Sequence, residues 1–333
     1  MYRPSNFLLL LSLVIVLNVI GLVMVLSSSS VDAIREYGSA WVFFDHQLMW
    51  LAIGGAVFLL TARTDYRRWQ RASGPLLVVT LFLLLAVLVP KIGVQVAGSS
   101  RWIGAGQFRL QPSELMKMAM VLFAAHVLAR RVEKYGWRDT IRPVVVVFVM
   151  AGALIMMQPD MGTTMILACI SLGTLFAVGT PRRTVALLVG ALVASGFILG
   201  FAQPYRRARL LSFMHPFAHA SGSGYQVVQS LVGLGRGHLL GVGLGASRAK
   251  WGFLPNAHTD FIFSIIGEEL GIIGSLLVVC LFVALAFLGM RVAARAPDRF
   301  GALLSVGITC WIIGQAIINI GATVGLLPVT GVP

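Results

Sequence analysis

Apolar runs that approach the length of a membrane span recur along the whole chain, and short polar segments separate them. Because a helix of roughly 20 apolar residues crosses a bilayer, each run predicts one transmembrane helix. The predicted spans are about 7–27, 46–62, 75–90, 113–130, 143–158, 161–179, 184–201, 260–290 and 301–325. The pattern therefore predicts an all-α integral membrane protein, a polytopic helix bundle in which residues 1–333 form a single membrane domain.

The arginines of the connecting segments predict an orientation. Most of them fall in alternate loops, at residues 63–71, 130–142, 182–183 and 291–299. Short loops that are rich in Lys and Arg stay in the cytoplasm, which places the N-terminus there as well. The intervening segments are then outside, and residues 202–259 form the one long extracytoplasmic loop.

Composition excludes a soluble domain, because 58% of the 333 residues are hydrophobic and 11% are charged. The formal net charge of +14 comes largely from the loops, where it matches the anionic membrane surface and gives no reason to expect nucleic-acid binding. Cys169, Cys280 and Cys310 all lie in apolar runs. We therefore expect neither a disulfide nor a cysteine metal site.

The long outer loop is basic and contains no acid before Asp260 at its end. Its basic residues are Arg206, Arg207, Arg209, Arg236, Arg248 and Lys250. Two explanations remain open: attraction to phospholipid headgroups, or a site for a phosphorylated ligand, since the guanidinium fork matches phosphate oxygens. Asp260 falls at a predicted helix start near the membrane surface, so it is either a helix cap or a functional acid.

Residues 225–245 are apolar, but Gln229, Arg236 and His238 interrupt them, and six glycines fall between residues 233 and 245. Such a segment is a poor spanning helix and is typical of an interfacial or re-entrant stretch.

Other polar residues fall inside or at the outer ends of the spans, where acids are costly and are either functional or paired. Glu268 and Glu269 lie two to three turns into the span that follows Asp260. Glu114 and Lys117 are one helical turn apart, a spacing that predicts an ion pair. Gln-Pro dipeptides recur at outer span ends, at Gln111-Pro112, Gln158-Pro159 and Gln203-Pro204.

Several of these residues belong to motifs that occur in the order of one known family. The motifs are Arg101-Trp102-Ile103, Gln111-Pro112-Ser113-Glu114-Leu115-Met116-Lys117, Gln158-Pro159-Asp160-Met161-Gly162-Thr163, Tyr205-Arg206-Arg207-Ala208-Arg209, Gly224-Tyr225-Gln226, and His258-Thr259-Asp260-Phe261-Ile262-Phe263 with Gly267-Glu268-Glu269. From about residue 100 onward the chain thus resembles the SEDS (shape, elongation, division, sporulation) polymerases of bacterial cell-wall synthesis. The run from Gly241 to Arg248 is most similar to the division members.

This resemblance implies a multi-pass glycosyltransferase of the bacterial cytoplasmic (inner) membrane that polymerises lipid II into glycan strands during cell division. It implies inverting transfer with Asp260 as the general base. The residues expected to hold the substrate and its pyrophosphate are Arg101, Trp102, Arg206, Arg209, His258 and Thr259. The residues expected to support the site are Gln111, Ser113, Glu114, Lys117, Gln158, Asp160, Glu268 and Glu269.

The same resemblance implies a class B penicillin-binding transpeptidase and other division proteins as partners, beside membrane lipid. No certain cofactor follows, although a divalent cation, Mg²⁺ or Mn²⁺, would suit the pyrophosphate. Family members continue into a Gly/Ser-rich outer motif and a tenth helix, so we expect those parts to lie beyond Pro333. The alternatives are an elongation polymerase, a lipid II flippase or lipid carrier, and a scaffold that recruits division proteins.

Overall fold

The computed structural model describes residues 4–90, 92–96, 99–105, 108–201, 207, 213–222, 224–329 and 331. Ten long or medium helices dominate them: α1 Pro4–Tyr37, α2 Val42–Ala62, α3 Trp69–Leu88, α4 Pro112–Arg131, α5 Trp137–Met157, α6 Met161–Ala177, α7 Arg182–Phe201, α8 Tyr225–Arg236, α9 Ile262–Ala294 and α10 Arg299–Thr323. Three strands follow α3: β1 Gly93–Val96, β2 Ser99–Ala105 and β3 Phe108–Leu110.

Every predicted span coincides with a helix, which confirms a helical, polytopic membrane protein. Seven helices of the described chain are long and apolar enough to cross a membrane, and α6 is a shorter apolar helix. Helix α1 continues ten residues beyond the predicted end of the first span, through four serines, to Tyr37. The hydroxyls of Ser28, Ser29 and Ser30 bond within the helix: Ser29 Oγ, for example, donates to the Val25 carbonyl at 2.7 Å. Such local bonds satisfy serine inside a helix.

The segment after α3 contains structure that the sequence did not predict. Strands β1, β2 and β3 form an antiparallel sheet in the order β1-β2-β3, with Val94 opposite Trp102 and Ile103 opposite Leu110. Each strand is short and adjoins small residues, so the alternation that signals a strand is weak here. Pairing with its neighbours, rather than its own sequence, stabilises each strand.

The chain forms two compact units. Unit 1 comprises Met1–Arg63, Gly196–Leu288 and Ala316–Pro333, and unit 2 comprises Thr64–Ser195 and Gly289–Gln315. Unit 2 centres on α4, whose buried face packs against α3, α5 and α6. The prediction of a single domain remains a prediction.

Helix α9 is broken inside unit 1 at Gly271, where φ is 69° and ψ is −166°. The break leaves backbone N–H and C=O groups without partners in the helix, and residues 238–243, which follow α8, form hydrogen bonds with four of them. The amides of Val242 and Gly243 donate to the carbonyls of Glu268 and Glu269 at 3.0 and 3.1 Å. In return, the amides of Ile272 and Ile273 donate to the carbonyls of residues 238 and 239 at 3.0 and 3.3 Å. Interior backbone of a membrane protein requires such partners.

Glycines make this backbone contact close enough. A methyl group at Gly237 would overlap the carbonyl of Gly267, and one at Gly241 would overlap the carbonyl of Glu269. Gly241 also has a φ of 80°, a conformation that favours glycine. The glycine-rich stretch therefore serves packing against the broken helix, which explains why residues 225–245 do not form one continuous span.

Candidate active site

Asp260 lies in a turn that leads into α9, two residues before the helix begins. Three apolar side chains of this turn are buried in the core of unit 1: Leu254, Ala257 and Phe261. Asp260 itself is partly exposed. The buried side chains hold the turn against unit 1, while Asp260 remains within reach of solvent. A methyl group at Gly331 would lie 3.8 Å from Asp260 Oδ2, so the backbone there also approaches the carboxylate.

His258 precedes Asp260 by two residues and contacts two helices of unit 1. Its Nδ1 lies 3.8 Å from Asp32 Oδ2 of α1, and its ring packs on Phe43 of α2 with centroids 4.9 Å apart. Thr259 is exposed, and its hydroxyl donates to the carbonyl of Asn256 at 3.3 Å. Hence α1 and α2 restrain the turn through His258, whereas Thr259 faces outward.

Glu268 is buried and accepts three hydrogen bonds from consecutive residues of the loop before Asp260. Ser247 Oγ donates to Glu268 Oε2 at 2.5 Å, and the amides of Arg248 and Ala249 donate to the carboxylate at 3.1 and 3.2 Å. Glu268 therefore ties the loop to α9.

Glu269 is also buried and forms an ion pair with Lys250, whose Nζ lies 3.1 Å from Glu269 Oε1. The Ser27 hydroxyl of α1 lies 2.6 and 2.8 Å from the two carboxylate oxygens, and the Ser247 amide donates at 3.3 Å. Less than 5% of either the Lys250 or the Glu269 side chain is exposed. The basic residue that the sequence assigned to the outer loop is thus an interior one.

In unit 2, Arg101 of β2 holds the turn between α5 and α6. Its Nε donates to the Gln158 carbonyl at 3.0 Å and its Nη2 donates to the Pro159 carbonyl at 2.5 Å. The side chain of Gln158 is buried, and its Nε2 donates to the Leu84 carbonyl at 3.2 Å. Trp102 is half-buried beside Arg101 in the same strand. These bonds fix the guanidinium and connect the sheet to α3 and α5.

Asp160 caps α6 in the same region. Its carboxylate accepts from the Thr163 amide at 3.1 Å and from the Thr163 hydroxyl at 2.9 Å. Gln111 Nε2 donates to the same carboxylate at 3.3 Å, so Asp160 links the start of α4 to the start of α6. Only 2% of Asp160 is exposed, and these contacts account for its place inside the protein.

Glu114 and Lys117 form the ion pair that their spacing predicted, with Lys117 Nζ 2.7 Å from Glu114 Oε2. Lys117 is completely buried. Its ammonium also donates to Gln315 Oε1 at 3.3 Å and lies 5.4 Å from the centre of the Trp311 ring. Ser113, next to Glu114, has a buried hydroxyl without a partner among the described residues.

The predicted site residues thus fall into two sets in different compact units. Asp260, His258, Thr259, Glu268 and Glu269 belong to unit 1, and Arg101, Trp102, Gln111, Ser113, Glu114, Lys117, Gln158 and Asp160 belong to unit 2. Arg206 and Arg209 lie outside the described residues. Within the described ranges, no group of three or more His, Cys, Asp or Glu side chains is arranged to hold a metal ion.

Sequence reasoning missed several partners of these residues, including Ser27, Asp32, Ser247, Trp311 and Gln315. Ser27 and Asp32 lie more than 200 residues from the side chains that they contact. The one local signal was the run of serines at the end of the first apolar stretch. Nothing in that run indicates Glu269 as its partner.

The apolar helices and the polar turn before α9 are those of a polytopic membrane protein that contains buried ion pairs. The chain belongs to the FtsW/RodA/SpoVE family of cell cycle proteins, whose family model matches residues 7–333.

Two named relatives illustrate the similarity. The chain is 43% identical over 331 residues to the probable peptidoglycan glycosyltransferase FtsW of Mycobacterium tuberculosis, which covers 99% of this chain and 63% of that relative. It is 40% identical over 332 residues to stage V sporulation protein E of Bacillus subtilis, covering 99% of this chain and 90% of the relative. The chain therefore spans less than two thirds of the mycobacterial protein.

Solved structures show the same fold. A chain from a structure of a peptidoglycan synthase complex that coordinates polymerization and crosslinking matches with a TM-score of 0.78 and 25% identity, over 97% of this chain and 88% of that chain. The rod shape determining protein RodA of Thermus thermophilus matches with a TM-score of 0.69 and 24% identity, over 97% and 86%.

Proposed function

We propose that this protein is an FtsW-type peptidoglycan glycosyltransferase that polymerises lipid II into glycan strands during cell division. Its relatives support this activity, since several that are 37–43% identical are designated probable peptidoglycan glycosyltransferase FtsW. The structural observation that carries the site is a contrast between three acids. Glu268 and Glu269 are buried, whereas Asp260 in the same stretch is partly exposed just before α9.

Asp260 is the general base of the proposed reaction. Its carboxylate accepts the proton of the acceptor sugar hydroxyl, and the oxygen attacks the anomeric carbon of the donor. The bond to the undecaprenyl pyrophosphate breaks on the opposite face, so an α-linked donor gives a β-linked product. His258 and Thr259 immediately precede the base in the chain and contact the substrate.

Arginines stabilise the departing pyrophosphate in this proposal. A preorganised positive charge stabilises the negative charge that develops on the leaving group in the transition state, and it does so more strongly in a site that excludes water than it would in water. Arg101 is held rigidly by two backbone carbonyls, which suits a preorganised contact. Arg206 and Arg209 complete the set, and Trp102 lies beside Arg101. The interior pairs of unit 2 support this region without taking part in proton transfer.

The proposed topology has nine spans, a cytoplasmic N-terminus and the active site outside. Alternating arginine loops support it. A class B penicillin-binding transpeptidase is the proposed partner, which the similarity to a chain of a peptidoglycan synthase complex supports.

A lipid flippase is less well supported. Transporters bind substrates at broken helices, where released backbone groups act as ligands. Among the described helices α9 alone is broken, at Gly271, and residues 238–243 bond to the backbone groups on both sides of that break. Those groups are therefore committed to the fold.

Two variants test the proposal with purified protein, with and without the transpeptidase, and lipid II as substrate. Asp260→Asn retains size and capping ability but cannot accept a proton, so it should bind lipid II normally and polymerise about 10²–10⁴-fold more slowly. Arg206→Ala should weaken both lipid II binding and turnover, because a phosphate contact acts on ground and transition states. Glycan strands of normal length and rate from Asp260→Asn would refute the assignment of the base.

A further inference from the structure

We infer that the buried carboxylates Glu268 and Glu269, with Lys250, position the turn that carries Asp260, so that they control the proposed base without touching the substrate. This inference rests on the proposed function. Its basis is a set of contacts that joins α9 and α1 to the loop immediately before Asp260.

The two carboxylates bind four consecutive residues, 247–250, which together supply five donor groups. Glu268 accepts from the Ser247 hydroxyl and from the amides of Arg248 and Ala249. Glu269 accepts from the Ser247 amide and from the Lys250 ammonium. Since Glu268 and Glu269 are themselves fixed in α9, the beginning of the loop is fixed to the helix that the loop leads into.

Helix α1 supports both ends of the loop. Ser27 donates to Glu269, which holds the beginning of the loop through Lys250, and Asp32 lies 3.8 Å from His258 near the end of the loop. Between them, Gly252 has a φ of 93°, and a methyl group there would lie 3.2 Å from Arg35 of α1. The residues from 252 to 261 form turns and a bend without regular helix or strand. Their geometry therefore depends on these anchors and on the buried Phe261.

The charges of the cluster favour a positioning role over a purely stabilising one. Burying two carboxylates and one ammonium carries a large desolvation cost, and well-packed apolar residues commonly stabilise a protein as much or more. What apolar residues cannot supply is directional bonding to particular amides. Glu268 and Glu269 accept hydrogen bonds from the amides of residues 247–249, and these bonds fix the conformation of the loop as well as its location.

The consequence for the reaction follows from geometry. A general base works within hydrogen-bond distance of the proton that it accepts, and displacement by about 1 Å can lower a rate about 10²-fold. Loosening the loop should therefore lower turnover much more than lipid II binding, because the pyrophosphate contacts lie elsewhere in the proposed site.

The test compares Lys250→Met and Glu269→Gln with wild type by hydrogen exchange of residues 251–261 and by lipid II binding and polymerisation. We expect exchange in that segment to rise about tenfold or more, as local opening becomes easier. Polymerisation at saturating lipid II should fall about 10²-fold, with binding nearly unchanged. Lys250→Arg retains the charge and should restore most of both properties.

Asp298→Asn is the matched control, because it removes a hydrogen-bonded carboxylate of unit 2 and leaves the loop intact. It should not change exchange in residues 251–261. Unchanged exchange in Lys250→Met and Glu269→Gln would overturn the inference. It would also be overturned if the loss of activity only matched the fraction of the protein that is unfolded. Where a variant fails to accumulate, Ser27→Ala removes a single donor and is judged by the same criteria.

Exchange also separates this inference from the proposed function. Faster exchange in Lys250→Met, combined with normal polymerisation by Asp260→Asn, would uphold the anchoring of the loop and refute Asp260 as the base. Normal exchange combined with an inactive Asp260→Asn would do the reverse.

Discussion

The ion pair between Glu114 and Lys117 allows a sharp test, because its two partners differ in burial. Lys117 is completely buried, whereas 35% of the Glu114 side chain is exposed. The perturbation consists of Glu114→Gln, Lys117→Met and the double variant. Each substitution preserves approximate size and removes one charge.

The structure predicts unequal costs. Glu114→Gln leaves a buried ammonium whose remaining contacts are Gln315 and the face of Trp311. Breaking a buried pair in this way costs roughly 3–5 kcal/mol, and those two contacts favour a value of about 3. Lys117→Met removes the completely buried charge and leaves Glu114, whose Oε1 is buried but whose side chain is 35% exposed, which should cost less, about 1–2 kcal/mol. The double variant should cost less than Glu114→Gln alone.

The assay is equilibrium unfolding of purified protein in mixed detergent micelles, with free energies compared in a double-mutant cycle. Glu133→Gln serves as the control, since its ion pair with Arg299 is exposed on both sides and should contribute less than about 1 kcal/mol. Strictly additive losses would mean that Glu114 and Lys117 do not interact. A greater loss from Lys117→Met than from Glu114→Gln would refute the reasoning from burial.

Two further predictions concern topology and pH. In a cysteine-free background, Ser221→Cys should react with a membrane-impermeant thiol reagent added outside cells and Lys134→Cys should not; the opposite pattern would invert the proposed orientation. Burial alone would raise the pKa of Asp298, but hydrogen bonds from Tyr66, the Gly301 amide and Arg67 together lower it below its ordinary value of 3.8. Asp298 therefore stabilises the folded state above about pH 4, and this contribution is lost as the pH falls further. The stability difference between wild type and Asp298→Asn should be full at pH 7 and shrink below pH 4; a constant difference would contradict the lowered pKa.

Local patterns accounted for much of the fold. Each predicted span is a helix, because a helix forms its backbone hydrogen bonds within itself and needs only an apolar surface of sufficient length to cross a bilayer. The pairing of Glu114 with Lys117 was equally predictable, since residues three apart on a helix are neighbours. Likewise the crowding of glycines in residues 233–245 correctly indicated a segment that is not a simple span.

Contacts between distant residues were not predictable in this way. Lys250 read as one more basic residue of an outer loop, yet it is buried against Glu269, and the side chain that completes the cluster, Ser27, is 242 residues from Glu269. Similarly, Arg101 read as a phosphate ligand and is also a clamp on the Gln158-Pro159 turn. The break at Gly271 had no signal beyond one glycine in an apolar run.

The sequence by itself thus determined where the helices lie, which loops are basic and which motifs place the chain in its family, because periodicity, length and charge act locally. Only the tertiary structure decided which acids are committed to interior pairs and which remains accessible. A carboxylate in an apolar run has the same local surroundings whether it is catalytic or structural. Its role depends on which donors the folded chain brings to it, and for Glu268 and Glu269 those donors come from the loop and from α1, while Asp260 stays partly exposed.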